Sequence, residues 1–137
     1  MAEYTNAALQ TVAAGQNVQF AETPVRGDWS VDHRAGSGIV NLRAGCGCTL
    51  YKVSFGGNIA VATGGTVGPI SLAISVAGEP LASATMIVTP SAVGDYFNVY
   101  ASVLVRVACG CCAVVSVENT SGQPIDVQNA NLIVEIQ

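Results

Sequence analysis

Apolar and polar positions alternate with a period of two along most of this chain, and the stretch from Leu50 to Val88 shows the pattern best. There Ile70, Leu72, Ile74 and Val76 alternate with Ser71, Ala73 and Ser75, which sends one set to each face of a strand. Ala77-Gly78-Glu79-Pro80 follows, with a glycine able to take positive φ and a proline that stops strand pairing. The chain is therefore expected to double back into Leu81 to Thr89 as a hairpin. Its Ile and Leu row should fill a core, and its Ser and Ala row should meet solvent or a neighbouring protein. No helical stripe interrupts the stretch.

The same alternation predicts the other strands. Asn17 to Thr23 carries Val18 and Phe20 between polar neighbours and stops at Pro24, as an edge or first strand would. Ile39 to Leu42 reads as a short strand. Thr49 to Val61 reads as a long one, with Tyr51, Val53 and Phe55 on one face, Leu50, Lys52 and Ser54 on the other, and a bulge or bend at Gly56-Gly57. Phe97 to Val107 sets six apolar positions against Asn98, Tyr100, Ser102, Leu104 and Arg106, and this second face is not polar enough for open water. Ala113, Val115 and Val117 mark the next strand, and Leu132, Val134 and Ile136 the last. Residues 1–16 are polar and Ala-rich, which predicts an N-terminal arm or tether ahead of one domain over 17–137. About eight strands at short spacing, with no helix, predict an all-β sandwich of eight to ten strands, and a jelly roll is the common solution at that number.

Composition changes this picture in one respect. Half of the 137 residues are apolar and only 10% are charged, against about a quarter in ordinary soluble domains. Apolar faces of that extent become interfaces when copies pack together, so self-association is expected. A net charge of −4, with five basic residues spread singly, leaves no footprint for direct nucleic-acid binding. The first residues lack a basic n-region and an apolar core, so no signal peptide is expected. Every apolar run is too short for a membrane span.

The order of segments resembles the C1q/TNF-like family of trimeric jelly rolls. Ser37-Gly38-Ile39-Val40 is similar to its short T-G-I-F strand, and Ala44-Gly45 before Tyr51 to Phe55 is similar to its A-G-x-Y-x-F-S strand. Ser71-Leu72 through Gly78-Glu79-Pro80 resembles its hairpin carrying N-G-E-P. Val103 to Val117 resembles its L-x-x-G-x-x-V-x-V pair, and Asn131 to Val134 its final strand. Gln10 to Val18 (QTVAAGQNV) and Val127 to Glu135 (VQNANLIVE) also resemble the opening and closing motifs of small clostridial prophage head-decoration or surface proteins. The resemblance implies a homotrimer with Tyr100, Leu104, Ile133 and Tyr51 at the subunit interface. It also implies a structural role in the virion, as a capsid decoration protein on the surface of a bacteriophage made in the bacterial cytoplasm, with the major capsid protein as partner. The alternative is a ligand- or carbohydrate-binding jelly roll of a phage fibre or of a spore or cell surface.

Two groups of residues could carry chemistry. Cys46 and Cys48 lie in AGCGC, and Cys109, Cys111 and Cys112 in ACGCC, each beside a long strand. In a jelly roll of this order those strands are antiparallel neighbours, so the clusters should meet. A cross-strand disulfide, idle thiols and a thiolate metal site are the open readings, in that order, because C-x-C is tighter than a zinc knuckle. The second group, Arg26, Asp28, Trp29, His33 and Arg34, gathers in the most polar stretch and forms a candidate recognition loop. His33 with Asp32 lacks a nucleophile turn, and Arg26-Gly27-Asp28 is a short tripeptide of low specificity. Neither a catalytic residue, a cofactor nor a metal is expected, and the chain is read as a structural protein rather than an enzyme.

Overall fold

A computed structural model describes all of residues 1–137. Eleven strands and no helix form two antiparallel sheets, and no helix is long and apolar enough to cross a membrane. The first sheet runs β3 (Glu22–Val25), β1 (Ala2–Asn6), β11 (Ile125–Ile136), β6 (Thr49–Val61), β9 (Phe97–Val107), with β2 (Gln10–Val12) pairing further along β11. The second runs β4 (Val31–His33), β5 (Val40–Arg43), β10 (Cys112–Asn119), β7 (Ile70–Val76), β8 (Glu79–Val88). This is the jelly-roll sandwich that the alternation predicts.

Between the sheets lies a single apolar cluster, and its largest fully buried side chains include Tyr51, Phe20, Phe55, Leu42 and Ile59. Strand periodicity explains the membership. Tyr51, Val53 and Phe55 of β6 pair with Ile136, Val134 and Leu132 of β11 and with Val105, Val103 and Ala101 of β9, so these positions share one face.

The hairpin forms as expected, with a tighter turn. Ala77 and Gly78 both have positive φ (54° and 82°), the two-residue geometry whose twist matches that of the flanking strands. Pro80 is therefore inside β8, which tolerates it because β8 is an edge strand. Ala73 and Ser75, expected to face outward and meet solvent, are buried. They lie on β7, flanked by β10 and β8, where small side chains sink between those of the neighbours.

Four other expectations are corrected. Residues 1–16 are no free arm: β1 is paired on both sides, by β11 and β3, and Ala2, Tyr4 and Val12 are core residues. Ala2 and Tyr4 alternate with Glu3 and Thr5, a short strand pattern that the small alanine side chain disguises. Of the strand expected over Asn17 to Thr23, only Glu22 and Thr23 pair, as the start of β3, apart from the single bridge of Asn17 to Glu118, although Val18 and Phe20 are fully buried. The edge strand instead passes through Pro24 as β3, all of whose side chains are exposed. The bulge expected at Gly56-Gly57 sits across the ladder, where Asn129 and Ala130 of β11 oppose Gly57 alone. Asn129 takes the left-handed conformation there (φ 57°), as the first residue of such a bulge often does.

Candidate functional site

Three surfaces carry side chains that the core does not need. The first is the outer face of the sheet containing β6, β9 and β11. Period-two alternation turns Leu50, Lys52 and Ser54 of β6, Tyr100, Ser102 and Leu104 of β9, and Ile133 and Glu135 of β11 away from the core. Tyr100 is 63% and Leu104 58% exposed. Ser54 and Ser102 hydrogen-bond across the strands at 3.1 Å. The hydroxyls of Ser54 and Ser102 beside Tyr100, and then the Lys52 charge, hold its phenol below the usual tyrosine range. Met1, Val25 and Ile133 continue the apolar surface toward the opposite edge, in a shallow depression that also includes Glu3 and Glu135.

Of the expected interface residues, Tyr100, Leu104 and Ile133 lie together on this face. Tyr51 does not. It has the parity of Val53 and Phe55 and is fully buried, and its hydroxyl donates to the carbonyls of Arg43 and Ser30. An inward tyrosine finds its partner in backbone at the rim of the core; the alternation separates Tyr51 from Leu50 and Lys52.

The second surface is a groove of about 570 Å³ lined by Tyr4, Arg26, Asp28, Trp29, Asp32, His33 and Arg43 among others. Four of the five expected recognition residues meet there, while the exposed Arg34 is not part of its lining. Arg43 holds the loop: one guanidinium nitrogen donates to the Trp29 carbonyl, and the other reaches Asp32 at 3.4 Å. Gly27 makes the return possible, because a Cβ there would stand 2.7 Å from the Val31 carbonyl and 3.2 Å from Ala2. Asp28 accepts from the Ser30 hydroxyl and backbone N–H, and these bonds hold its carboxyl below the usual range. The Arg26-Gly27-Asp28 carboxylate is thus engaged within its own loop. Burial, and then the charge of Asp32, raises the Tyr4 phenol above the usual tyrosine range.

His33 does not pair with Asp32. Its Nε2 lies 2.7 Å from the Ser37 carbonyl and donates to it, while the buried Nδ1 has no hydrogen-bond partner. Tyr4 and Phe20 pack on the ring at 4.5 and 6.2 Å between centroids. Arg43 and Tyr4 were not singled out by the sequence. Arg43 offered one signal, an outward basic position on a strand beside an acidic loop, and the placement of Tyr4 depended on recognising β1.

The third surface is the cysteine end. The connection from β5 to β6 and that from β9 to β10 cross between the sheets side by side. Gly110 N–H donates to the Gly45 carbonyl at 3.0 Å, and Ala44 N–H to the Cys111 carbonyl at 3.0 Å. The two clusters therefore meet, as the strand order implies. All five cysteines are free and exposed. Cys109 Sγ donates to the Gly45 carbonyl at 3.3 Å, while Cys48 Sγ accepts from Arg106 at 3.0 Å, so these two sulfurs are turned to different partners. No set of three or more cysteine, histidine or acidic side chains converges to hold a metal ion.

One further polar group is structural. Asn119, in an Asn-Thr-Ser sequon, is fully buried, and its amide donates to the carbonyls of Val12 and Gln123 and accepts from Ser121 N–H. It ties β2 to the turn after β10.

No protein-family profile and no curated protein matches the sequence. Solved structures share the fold at low identity. The globular domain of zebrafish complement 1qA protein superposes with a TM-score of 0.62 at 14% identity, covering 96% of this chain and 94% of that one. The Eiger TNF from S. frugiperda gives 0.69 at 12% identity, over 99% and 91% of the two chains. Murine APRIL gives 0.60 at 12% identity, over 92% and 96%. The chain thus has a C1q/TNF-like jelly-roll fold.

Proposed function

We propose that this chain is a structural protein that assembles as a homotrimer and decorates a larger shell, the head surface of a bacteriophage, with the major capsid protein as its partner. The observation that carries the trimer is the outer face of the β6, β9 and β11 sheet, where Tyr100 and Leu104 are more than half exposed beside Leu50 and Ile133. A chain with nine acidic and five basic residues has little charge with which to solvate such a face, and threefold packing covers it. The fold supports the same reading, because the C1q/TNF-like sequences that the chain resembles are trimeric. Attachment to a shell draws on the resemblance of the Gln10 to Val18 and Val127 to Glu135 motifs to phage surface proteins, and on the strength that repeated weak contacts gain from symmetry.

The groove at Arg26 to His33 favours a second reading, a ligand- or carbohydrate-binding module on a phage fibre or spore surface. It offers an exposed aromatic platform, Trp29, flanked by Asp28, Asp32 and Arg43. Light scattering at micromolar concentration tests the assembly, with three times the chain mass expected and a monomer overturning it. Cryo-EM of the source particle tests the role: density on capsid symmetry axes supports decoration, and density confined to a fibre tip supports the binding module.

A further inference from the structure

Free cysteine is among the most buried of residue types and behaves as a small apolar side chain. Here all five are exposed, four on two adjoining connections at one end of the sandwich and Cys112 on the first position of β10 beside them. The patch is firmly held. Four strand ends anchor it through the pairs Thr49 with Val107 and Arg43 with Cys112, and the backbone bonds at Gly45 and Cys111 join the two connections. Exposed Trp29 flanks it, its indole 3.5 Å from where a Gly45 Cβ would be. A core that seals without any of these thiols leaves them no packing role.

We propose that this end is a covalent cross-linking site between copies of the chain, closed by intermolecular disulfides under oxidising conditions. Parity is the first argument: no set of bridges within one chain can consume five thiols, and an odd cysteine outside the core points to pairing between chains. Local geometry is the second. Cys112 opens β10 and Cys111 directly precedes it, so their Cα atoms stand about 3.8 Å apart, closer than a disulfide ordinarily spans. Cys48 and Cys109 are turned to Arg106 and to Gly45. A second copy meeting this end brings an equal patch to exposed sulfurs. The site does not depend on the trimer or on the shell reading.

The chemistry is thiol–disulfide exchange with a low-molecular-weight disulfide as oxidant. A cysteine of one copy attacks that disulfide, forming a mixed disulfide and releasing one small thiol. A cysteine of the second copy then attacks the mixed disulfide, forming the protein–protein bond and releasing the second small thiol. Two protein thiols are oxidised and one small disulfide is reduced to two thiols.

The test treats the reduced full-length chain with oxidised glutathione at high protein concentration, followed by denaturing nonreducing electrophoresis and intact mass measurement. Most of the chain is expected at twice the monomer mass and above, returning to monomer with reductant. A variant with all five cysteines changed to Ser, folded by circular dichroism because the positions are exposed, is expected to stay monomeric on the same gel. Variants keeping only Cys46 and Cys48, or only Cys109, Cys111 and Cys112, show which connection supplies the bond. Chains that end as monomers overturn the proposal, whether bridged internally, capped by glutathione or still carrying five free thiols.

Discussion

At the residue scale, two polar side chains, the buried Asn119 and the exposed Asp28, do more for the fold than their polarity advertises. Asn119 holds the carbonyl of Val12 in the interior and that of Gln123 at its partly buried edge. Asn119→Ala leaves the Val12 carbonyl unpaired and is expected to destabilise the domain by about 1–3 kcal/mol, the cost of one stranded buried group; urea unfolding checks this. The buried amide also predicts that Asn119 carries no glycan when the chain is produced through a secretory route. Asp28 makes a prediction in pH. Its carboxyl is held low by the Ser30 hydroxyl and N–H, so its folded-state value lies below its unfolded one. The associated stabilisation is present above the ordinary carboxylate range and is lost as pH falls through the lowered value. A carboxyl NMR titration should find Asp28 titrating below the free side chain, and Ser30→Ala should move it back up. An unshifted Asp28 in the parent protein would refute the arrangement. Tyr51 shows where residue type misleads: an aromatic ring beside Leu50 and Lys52 in sequence belongs to the opposite face.

The elements divide by how strongly a period of two was written into them. The long β6 and β9 are found over the bounds that the alternation predicts, Thr49 to Val61 and Phe97 to Val107, because each carries several large apolar residues on a single face. The first and third strands were not legible. In β1 the inward row is Ala2 and Tyr4, too short and too small a signal, and in β3 no side chain is buried at all. Pairing decides their state, β1 on β11 and β3 on β1, and for β1 a partner more than a hundred residues away leaves no local trace. Of the sites, the cysteine juxtaposition followed from strand order. The groove followed only in part, since Arg43 and Tyr4 reach it from other elements. The turn and bulge can be tested directly. Ala77 bears a Cβ in the left-handed region, so Ala77→Gly should raise stability by about 1 kcal/mol. At Asn129, a position of the same kind, Asn129→Val should lower it by about 1–2 kcal/mol. Thermal melts of the two variants should move in opposite directions.

For the molecule as a whole, the outer face of the first sheet decides between a lone sandwich and an assembly. Leu104→Glu adds a charge to the apolar part of that face without touching the core, so a trimer built on it should dissociate to folded monomers, seen as a threefold drop in mass by light scattering with an unchanged circular dichroism spectrum. A variant that keeps the parent's trimeric mass would place the contact elsewhere. The position of the chain ends has a mechanical consequence. Ala2 pairs with Val134 in the antiparallel β1 to β11 ladder, and Gln137 bonds back to Leu50, so Met1 and Gln137 emerge at one end of the same pair of strands. A pull applied between them does not load the ladder in shear. It opens the hydrogen bonds one after another from Ala2 toward Asn6, like a zip, and the sandwich should yield at low force when stretched by its termini while resisting a pull across β6 and β9.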